Sequence, residues 1–181
     1  PLYPSLMRWT NTIFNNYILS GYIISHISLI VFLYLLYKLI RLDWNEVTAK
    51  QTIIFYLLFP TSFFFAAVYT ESFFMMLVIG AFLAARKKQW LLAGILGGLA
   101  SATRLFGIFL LPALFIELWQ QRKSRGVIKF FKSNWLSILS ILLSISGLAW
   151  YMWYLGKNFS DPLYFLHAQP VFGAQRSADK L

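Results

Sequence analysis

The chain has 181 residues, of which 59% are hydrophobic and 12% charged, with a mean hydropathy of +0.65. These values exclude an ordinary soluble domain, because several long apolar runs leave no polar shell to face water. Sixteen Lys and Arg against six Asp and Glu give a formal charge of +10, yet the cations gather in short loops between apolar runs. That is the positive-inside pattern of a multi-pass membrane protein, not the basic face of a nucleic-acid binder.

Residues 1–16 combine Pro, Asn and Thr with aromatics, which suits an external interfacial segment. Tyr17–Ile40 is long and apolar enough to cross a bilayer with some tilt. His26 lies inside it and is expected to hydrogen-bond between helices, a functional role being the alternative. Lys38, Arg41 and Lys50 then bracket a polar loop with Asp43 and Glu46. Arg86-Lys87-Lys88 forms a second basic cluster, and Arg122, Lys123, Arg125, Lys129 and Lys132 a third. All three are expected in the cytoplasm, so the chain turns back between them at two polar interruptions, FPTSFFFAAVYTES (Phe59–Ser72) and SATRLFG (Ser101–Gly107).

Dividing Gln51–Ala85 at Pro60–Ser72 leaves two arms of about a dozen residues, about 18 Å each and short of the ~30 Å hydrocarbon core. Either the helices continue through the interruption or the hairpin tip stops short inside the outer leaflet. Both arrangements place Thr61, Ser62, Tyr69, Thr70 and Glu71 at or below the outer interface, shielded from lipid. Gly94, Gly97, Gly98 and Ala100 make the next arm small-faced for close helix packing, and Pro112 reads as a kink in the arm after it. Trp135–Leu155 is the last span, and its end carries an interface belt of Trp150, Tyr151, Trp153 and Tyr154. Beyond it, Ser160 or Asp161 is the candidate N-cap of a short helix with Pro162 in its first turn. Asn158-Phe159-Ser160 matches a glycosylation acceptor.

The expected fold is all-α, a polytopic transmembrane helical bundle of about six spanning or partly spanning helices. Residues 1–181 form a single transmembrane domain, with 1–16 external and interfacial, 17–155 the membrane bundle, and 156–181 an external loop or interfacial helix. Eleven Lys and Arg fall on the cytoplasmic side. Five fall outside: Arg8, Arg104, Lys157, Arg176 and Lys180.

This topology gathers Tyr3, Arg8, Tyr69, Glu71, Arg104, Asp161, His167 and Gln169 on one face. An ionisable side chain at membrane depth is expensive enough to demand a partner or a role. The fork of Arg104 suits an anionic phosphate, the alternatives being an ion pair with Glu71 or a helix cap. Glu71 is a candidate general base, acceptor from a sugar hydroxyl, or that ion-pair partner. Asp161 reads as a helix cap or a catalyst, and His167 and Gln169 as groups that orient a sugar or phosphate or are merely solvated. The chain has no cysteine, and its two histidines, His26 and His167, are too far apart for an HExxH zinc site. No metal and no cofactor are expected. No P-loop, Gly-rich dinucleotide motif or inverted repeat occurs.

At PLYP (Pro1–Pro4), FPTSFFFAAVYTESFF (Phe59–Phe74), WLLAGILGGLASATRLFGIFLLPAL (Trp90–Leu114) and DPLYFLHAQ (Asp161–Gln169) the sequence resembles the PIG-V family, mannosyltransferases of the GT-C class that include the second GPI mannosyltransferase. Family members often carry Arg-Pro where this chain has Arg104-Leu105. The resemblance implies transfer of mannose or a similar hexose from a polyprenyl-phosphate sugar donor to a glycolipid or other acceptor. The reaction would run on the extracytoplasmic or lumenal face of a bacterial plasma membrane or the endoplasmic reticulum, among membrane lipids. It carries over Tyr69, Glu71 and Arg104 as substrate-binding residues, with His167 and Gln169 behind them. The family's presumed catalytic aspartate precedes PLYP, so the chain, which starts at Pro1 without an initiator Met or a signal peptide, is expected to be an internal fragment that is inactive alone. The competing readings are a transporter or flippase, with Glu71 and Arg104 on a substrate path, and a non-catalytic membrane subunit in which they form a structural pair.

Overall fold

A computed structural model describes residues 2–121 and 127–167, and Arg122, Lys123, Arg125, Gln169, Arg176 and Lys180 lie outside the described residues. Helices and turns account for these residues, with no strand among them. Helix α1 (Leu2–Phe14) buries Tyr3 and leaves Trp9 and Ile13 exposed. Asn15, at φ 50°, ends it, and the Asn16 side chain caps α2 by accepting from the Leu19 amide at 3.1 Å. Helix α2 (Tyr17–Ile40) runs 24 residues between the expected limits, and only 22% of its apolar window is buried, so most of its surface is free to meet lipid or other protein. His26 does not bridge helices. Its ring nitrogen lies 2.9 Å from the Tyr22 carbonyl one turn back, because this face of α2 has no neighbour among the described residues.

Helix α3 (Glu46–Leu58) starts at Asn45, whose side chain accepts from the Thr48 amide at 2.8 Å. It stops because Phe59, preceding Pro60, is held extended at ψ 134°. A 3-10 turn (Pro60–Ser62) and α4 (Phe63–Ala66) follow at 76° to α3. The polar interruption is thus a break, not a continuous helix. A bond between the Ser72 hydroxyl and the Phe65 carbonyl closes the loop, and Phe32, Tyr56 and Phe65 pack their rings beneath it.

Helices α5 (Glu71–Arg86) and α6 (Trp90–Thr103) form a hairpin. Its turn closes with Lys88 N–H on the Ala85 carbonyl and Gln89 N–H on the Ala84 carbonyl, both at 2.9 Å, with Lys88 at φ 62°. A 3-10 turn (Leu105–Phe109) leads to α7 (Leu110–Gln120). Pro112 is the third residue of α7, just past the change from 3-10 to α geometry, so its missing N–H falls where the hydrogen-bond pattern already changes. Helix α8 (Val127–Ser133) precedes α9 (Trp135–Leu142), which continues through a 3-10 turn (Leu143–Ile145) into α10 (Ser146–Phe159). These make one apolar segment of 25 residues, four longer than read from sequence. Helix α11 (Tyr164–His167) is a single turn.

Among the described residues, two helices are long and apolar enough to cross a membrane alone, a third if α3 and its bent continuation count as one, and Trp90–Thr103 and Leu105–Gln120 are shorter apolar helices. The packing order is α2 on α5, α5 on α6, and α6 on α9 and α10. The small faces of α5 and α6 allow this. Ala81, Ala84, Ala85, Ala93 and Ala100 join Leu77, Leu114 and Ile141 in the core. The α6 contact is closer still. A Cβ at Gly94 would sit 1.7 Å from the Ser140 carbonyl oxygen, and one at Gly147 would sit 1.9 Å from that of Gly98.

The two ends of this bundle differ. At one, Arg86 bonds Asp43 and lies 3.5 Å from Glu117, and the Gln121 amide donates to Glu117 at 2.7 Å and to the Ala85 carbonyl at 3.2 Å. The loops after α2, α5 and α7 therefore meet. At the other end, one α5 length away, lie Tyr3, Tyr69, Glu71 and Arg104.

Candidate functional site

Arg104 owes its position to the end of α6. Its own N–H closes on the Ala100 carbonyl at 3.0 Å, after which the backbone turns extended at φ −140°, ψ 145°. The chain then folds back over the helix end. A Cβ at Gly107 would lie 2.3 Å from the Ser101 nitrogen, so only glycine admits this return, and the Gly107 N–H bonds the Arg104 carbonyl at 2.9 Å. The side chain is thereby aimed at the first turn of α5.

There Nη1 of Arg104 donates to Oε1 of Glu71 at 2.8 Å, and the guanidinium carbon lies 5.7 Å from the centre of the Phe74 ring. Glu71 is the first residue of α5, where the positive end of the helix dipole favours a carboxylate. Its second oxygen, Oε2, is buried and has no hydrogen-bond partner among the described residues. Arg104 makes this one hydrogen bond among them, so Nε and Nη2 are left as charged donors. A cavity of about 230 Å³ lies against Arg104, lined also by Ser101, Thr103, Leu105, Leu148, Tyr151 and Phe165. The Ser101 and Thr103 hydroxyls donate to the Gly98 and Leu99 carbonyls at 2.9 and 2.8 Å, which keeps their lone pairs available.

The loop carrying Glu71 is anchored from α1 and α2. The Tyr3 hydroxyl is 2.8 Å from Ser25 Oγ and 3.2 Å from the Gly21 carbonyl, and Ser25 Oγ is 3.3 Å from the Tyr69 carbonyl. Burial pushes the Tyr3 hydroxyl above its ordinary value, the Ser25 hydrogen bond partly offsets this, and the charge of Glu71 adds to it. Tyr69 contributes that carbonyl. Its ring is exposed and packs edge-on against Phe64, with centroids 5.4 Å apart.

His167 Nδ1 lies 2.7 Å from Oδ2 of Asp161, whose other oxygen accepts from the Leu163 amide at 2.9 Å. Asp161 and Pro162 lie in the turn before α11, which begins at Tyr164, so Asp161 closes that turn and is not the N-cap that the sequence suggests, while Ser160, at φ 56°, ends α10. Phe165 of α11 packs on Tyr151, with centroids 5.9 Å apart, and joins the wall of the Arg104 cavity. The His167 hydrogen bond holds the Asp161 carboxyl below its ordinary value of 3.8. A lowered carboxyl contributes stability above its unfolded value and loses it as pH falls through the folded one. Hydrogen exchange at residues 163–167 is therefore expected to accelerate only below about pH 4, and in Asp161→Asn to be fast at every pH. Unchanged exchange in that variant would show that the tie does not hold α11.

Of the sequence candidates, Glu71 and Arg104 meet directly, Tyr69 enters through its backbone, and His167 stands on the helix that walls the cavity without contacting either. Arg8 is exposed on α1, and Gln169 lies outside the described residues. Ser25, Tyr151 and Phe165 were not foreseen. No group of three or more metal-ligating side chains occurs among the described residues.

An all-α bundle of apolar segments, broken at two points and holding a carboxylate and a guanidinium beside a cavity, defines a multi-pass membrane protein with a polar site at one end. The sequence profile of the dolichyl-phosphate-mannose-protein mannosyltransferases matches residues 1–153, and the chain belongs to that family of membrane glycosyltransferases. No curated protein and no solved structure matches it.

Proposed function

We propose that the protein transfers mannose, or a closely similar hexose, from a polyprenyl-phosphate donor to an acceptor hydroxyl, and that the Arg104 cavity receives the donor's phosphate end. The observation that carries this reading is Arg104 itself. It is anchored by a single side-chain bond to Glu71, lies 5.7 Å from the centre of the Phe74 ring, and is left with two charged donors beside a cavity. In the reaction, the acceptor oxygen attacks the anomeric carbon as the bond from that carbon to the phosphate oxygen breaks. The electron pair leaves on the polyprenyl phosphate, where Nε and Nη2 of Arg104 offset the added charge. The acceptor's proton goes to a carboxylate base, the role that the PIG-V resemblance gives to an aspartate. Glu71 Oε1 holds the guanidinium in place, and α11, tied down by the bond between Asp161 and His167, carries Phe165 into the cavity wall.

The basic clusters support a cytoplasmic position for the Arg86–Glu117 end and an extracytoplasmic position for the site. Single cysteines test that orientation: one at Ser160 should react with an impermeant maleimide in intact cells, and one at Lys88 only after permeabilisation. The reverse pattern would overturn the sidedness. For the reaction, membranes holding the protein receive labelled polyprenyl-phosphate mannose with either a GPI-type glycolipid or a Ser/Thr-containing peptide. The PIG-V-like motifs favour label in the glycolipid, and label in neither product would overturn the transferase reading.

A further inference from the structure

At the end opposite the site, α2, α5 and α6 leave a groove of about 250 Å³ between them. Val31 and Leu35 of α2, Met76 and Gly80 of α5, and Leu92 and Leu96 of α6 form its apolar walls, and Lys87 and Gln89 stand at its end. From Met76 to Lys87 the groove follows one face of α5 for about 16 Å at 1.5 Å per residue, close to the ~15 Å depth of one leaflet's hydrocarbon. Gly80 keeps the passage open, since its Cα presents no side chain between Leu35 and Leu96.

The charge at the end of the groove is not spent within the protein. Of the three consecutive cations, Arg86 is bonded to Asp43 and Glu117, while Lys87 and Lys88 are exposed and make no ion pair among the described residues. The closed turn over Ala84–Gln89 fixes Lys87 at the groove end, and it places Lys88 at φ 62°, a conformation that favours glycine. A single-leaflet apolar channel ending at the Lys87 ammonium, with Lys88 next in the chain but lining the neighbouring hollow between α6 and α9, is complementary to an anionic lipid, with one acyl chain along α5 and the phosphate at Lys87.

We infer that the α2–α5–α6 groove is a binding site for an anionic glycerophospholipid, one acyl chain lying along α5 and the headgroup phosphate held by Lys87. The site is separate from the Arg104 cavity and does not depend on the reaction proposed there.

The test is native mass spectrometry of the full-length protein in detergent, titrated with phosphatidylglycerol or with phosphatidylcholine of the same acyl chains. Phosphatidylglycerol should be retained in preference. Lys87→Gln should weaken its retention about fivefold, the equivalent of about 1 kcal/mol for one basic residue near the surface. Gly80→Leu should weaken retention of both lipids by filling the channel, and Lys157→Gln, at the other end of the bundle, should change neither. Lys87→Gln alters an exposed side chain, so it carries the test if Gly80→Leu does not fold. Equal retention of the two lipids, or retention of phosphatidylglycerol unchanged by Lys87→Gln and by Lys87→Gln/Lys88→Gln, would overturn the inference.

Discussion

Arg104→Ala is expected to lower sugar transfer from polyprenyl-phosphate mannose by about 10²–10³-fold, the range for removing one preorganised charge stabiliser, while the protein still inserts and remains monodisperse in detergent. Arg104→Lys should recover only part of the rate, because an ammonium keeps the charge but lacks the planar fork that bonds Glu71 with one nitrogen and leaves two others for phosphate. A purely structural pair behaves differently. Removing one partner strands the other charge, and removing both relieves it. Arg104→Met/Glu71→Met is thus expected to melt closer to wild type than either single variant and yet to stay as inactive as Arg104→Ala. If the double variant regains transfer together with stability, or if Arg104→Ala turns over normally, the phosphate role fails and the pair only holds α5 to α6.

The second large effect concerns packing. Gly147→Val is expected to prevent α10 from docking on α6, because its first added carbon would fall 1.9 Å from the Gly98 carbonyl oxygen and 2.5 Å from the Ala102 nitrogen. Both are backbone atoms that cannot swing aside, so the helices must part. Overpacking of this kind costs about 1–3 kcal/mol or more. Gly80→Ala is the control: its added carbon meets only the flexible ends of Leu96 and Leu35, at 3.2 and 3.6 Å. Thermal melting in detergent should show a large loss for Gly147→Val and little change for Gly80→Ala. Similar melting of the two variants would contradict the close approach of α6 and α10.

The sequence made some of this legible and hid the rest for identifiable reasons. Tyr17–Ile40 was readable at both ends because its apolar run is unbroken and flanked by Asn16 and Arg41, so local signals decide its limits. The pairing of Glu71 with Arg104, 33 positions apart, was open to inference because two opposite charges in apolar surroundings have few other partners. The 76° turn after Leu58 was not. Pro60 announces an interruption, but its direction depends on the Ser72–Phe65 bond and on rings contributed by three elements. Glu117 was overlooked inside LLPALFIELWQ, although a lone acid in an apolar helix, followed four residues later by Gln121, was signal enough to look for a cation. His26 was misread because interhelical bonding presumes a neighbour, and that face of α2 has none among the described residues.

Arg86 stands between its two carboxylates in sequence as well as in space, with Asp43 made before it and Glu117 after it. Translation delivers the first partner early and the second only when α7 emerges. A ribosome-bound chain ending before Glu117 therefore offers Arg86 one carboxylate at the α2–α5 junction, and the arrival of Glu117 ties α7 to that end. The order of synthesis is written into this clasp: the end nearest the basic clusters is the last part of residues 2–121 to be secured.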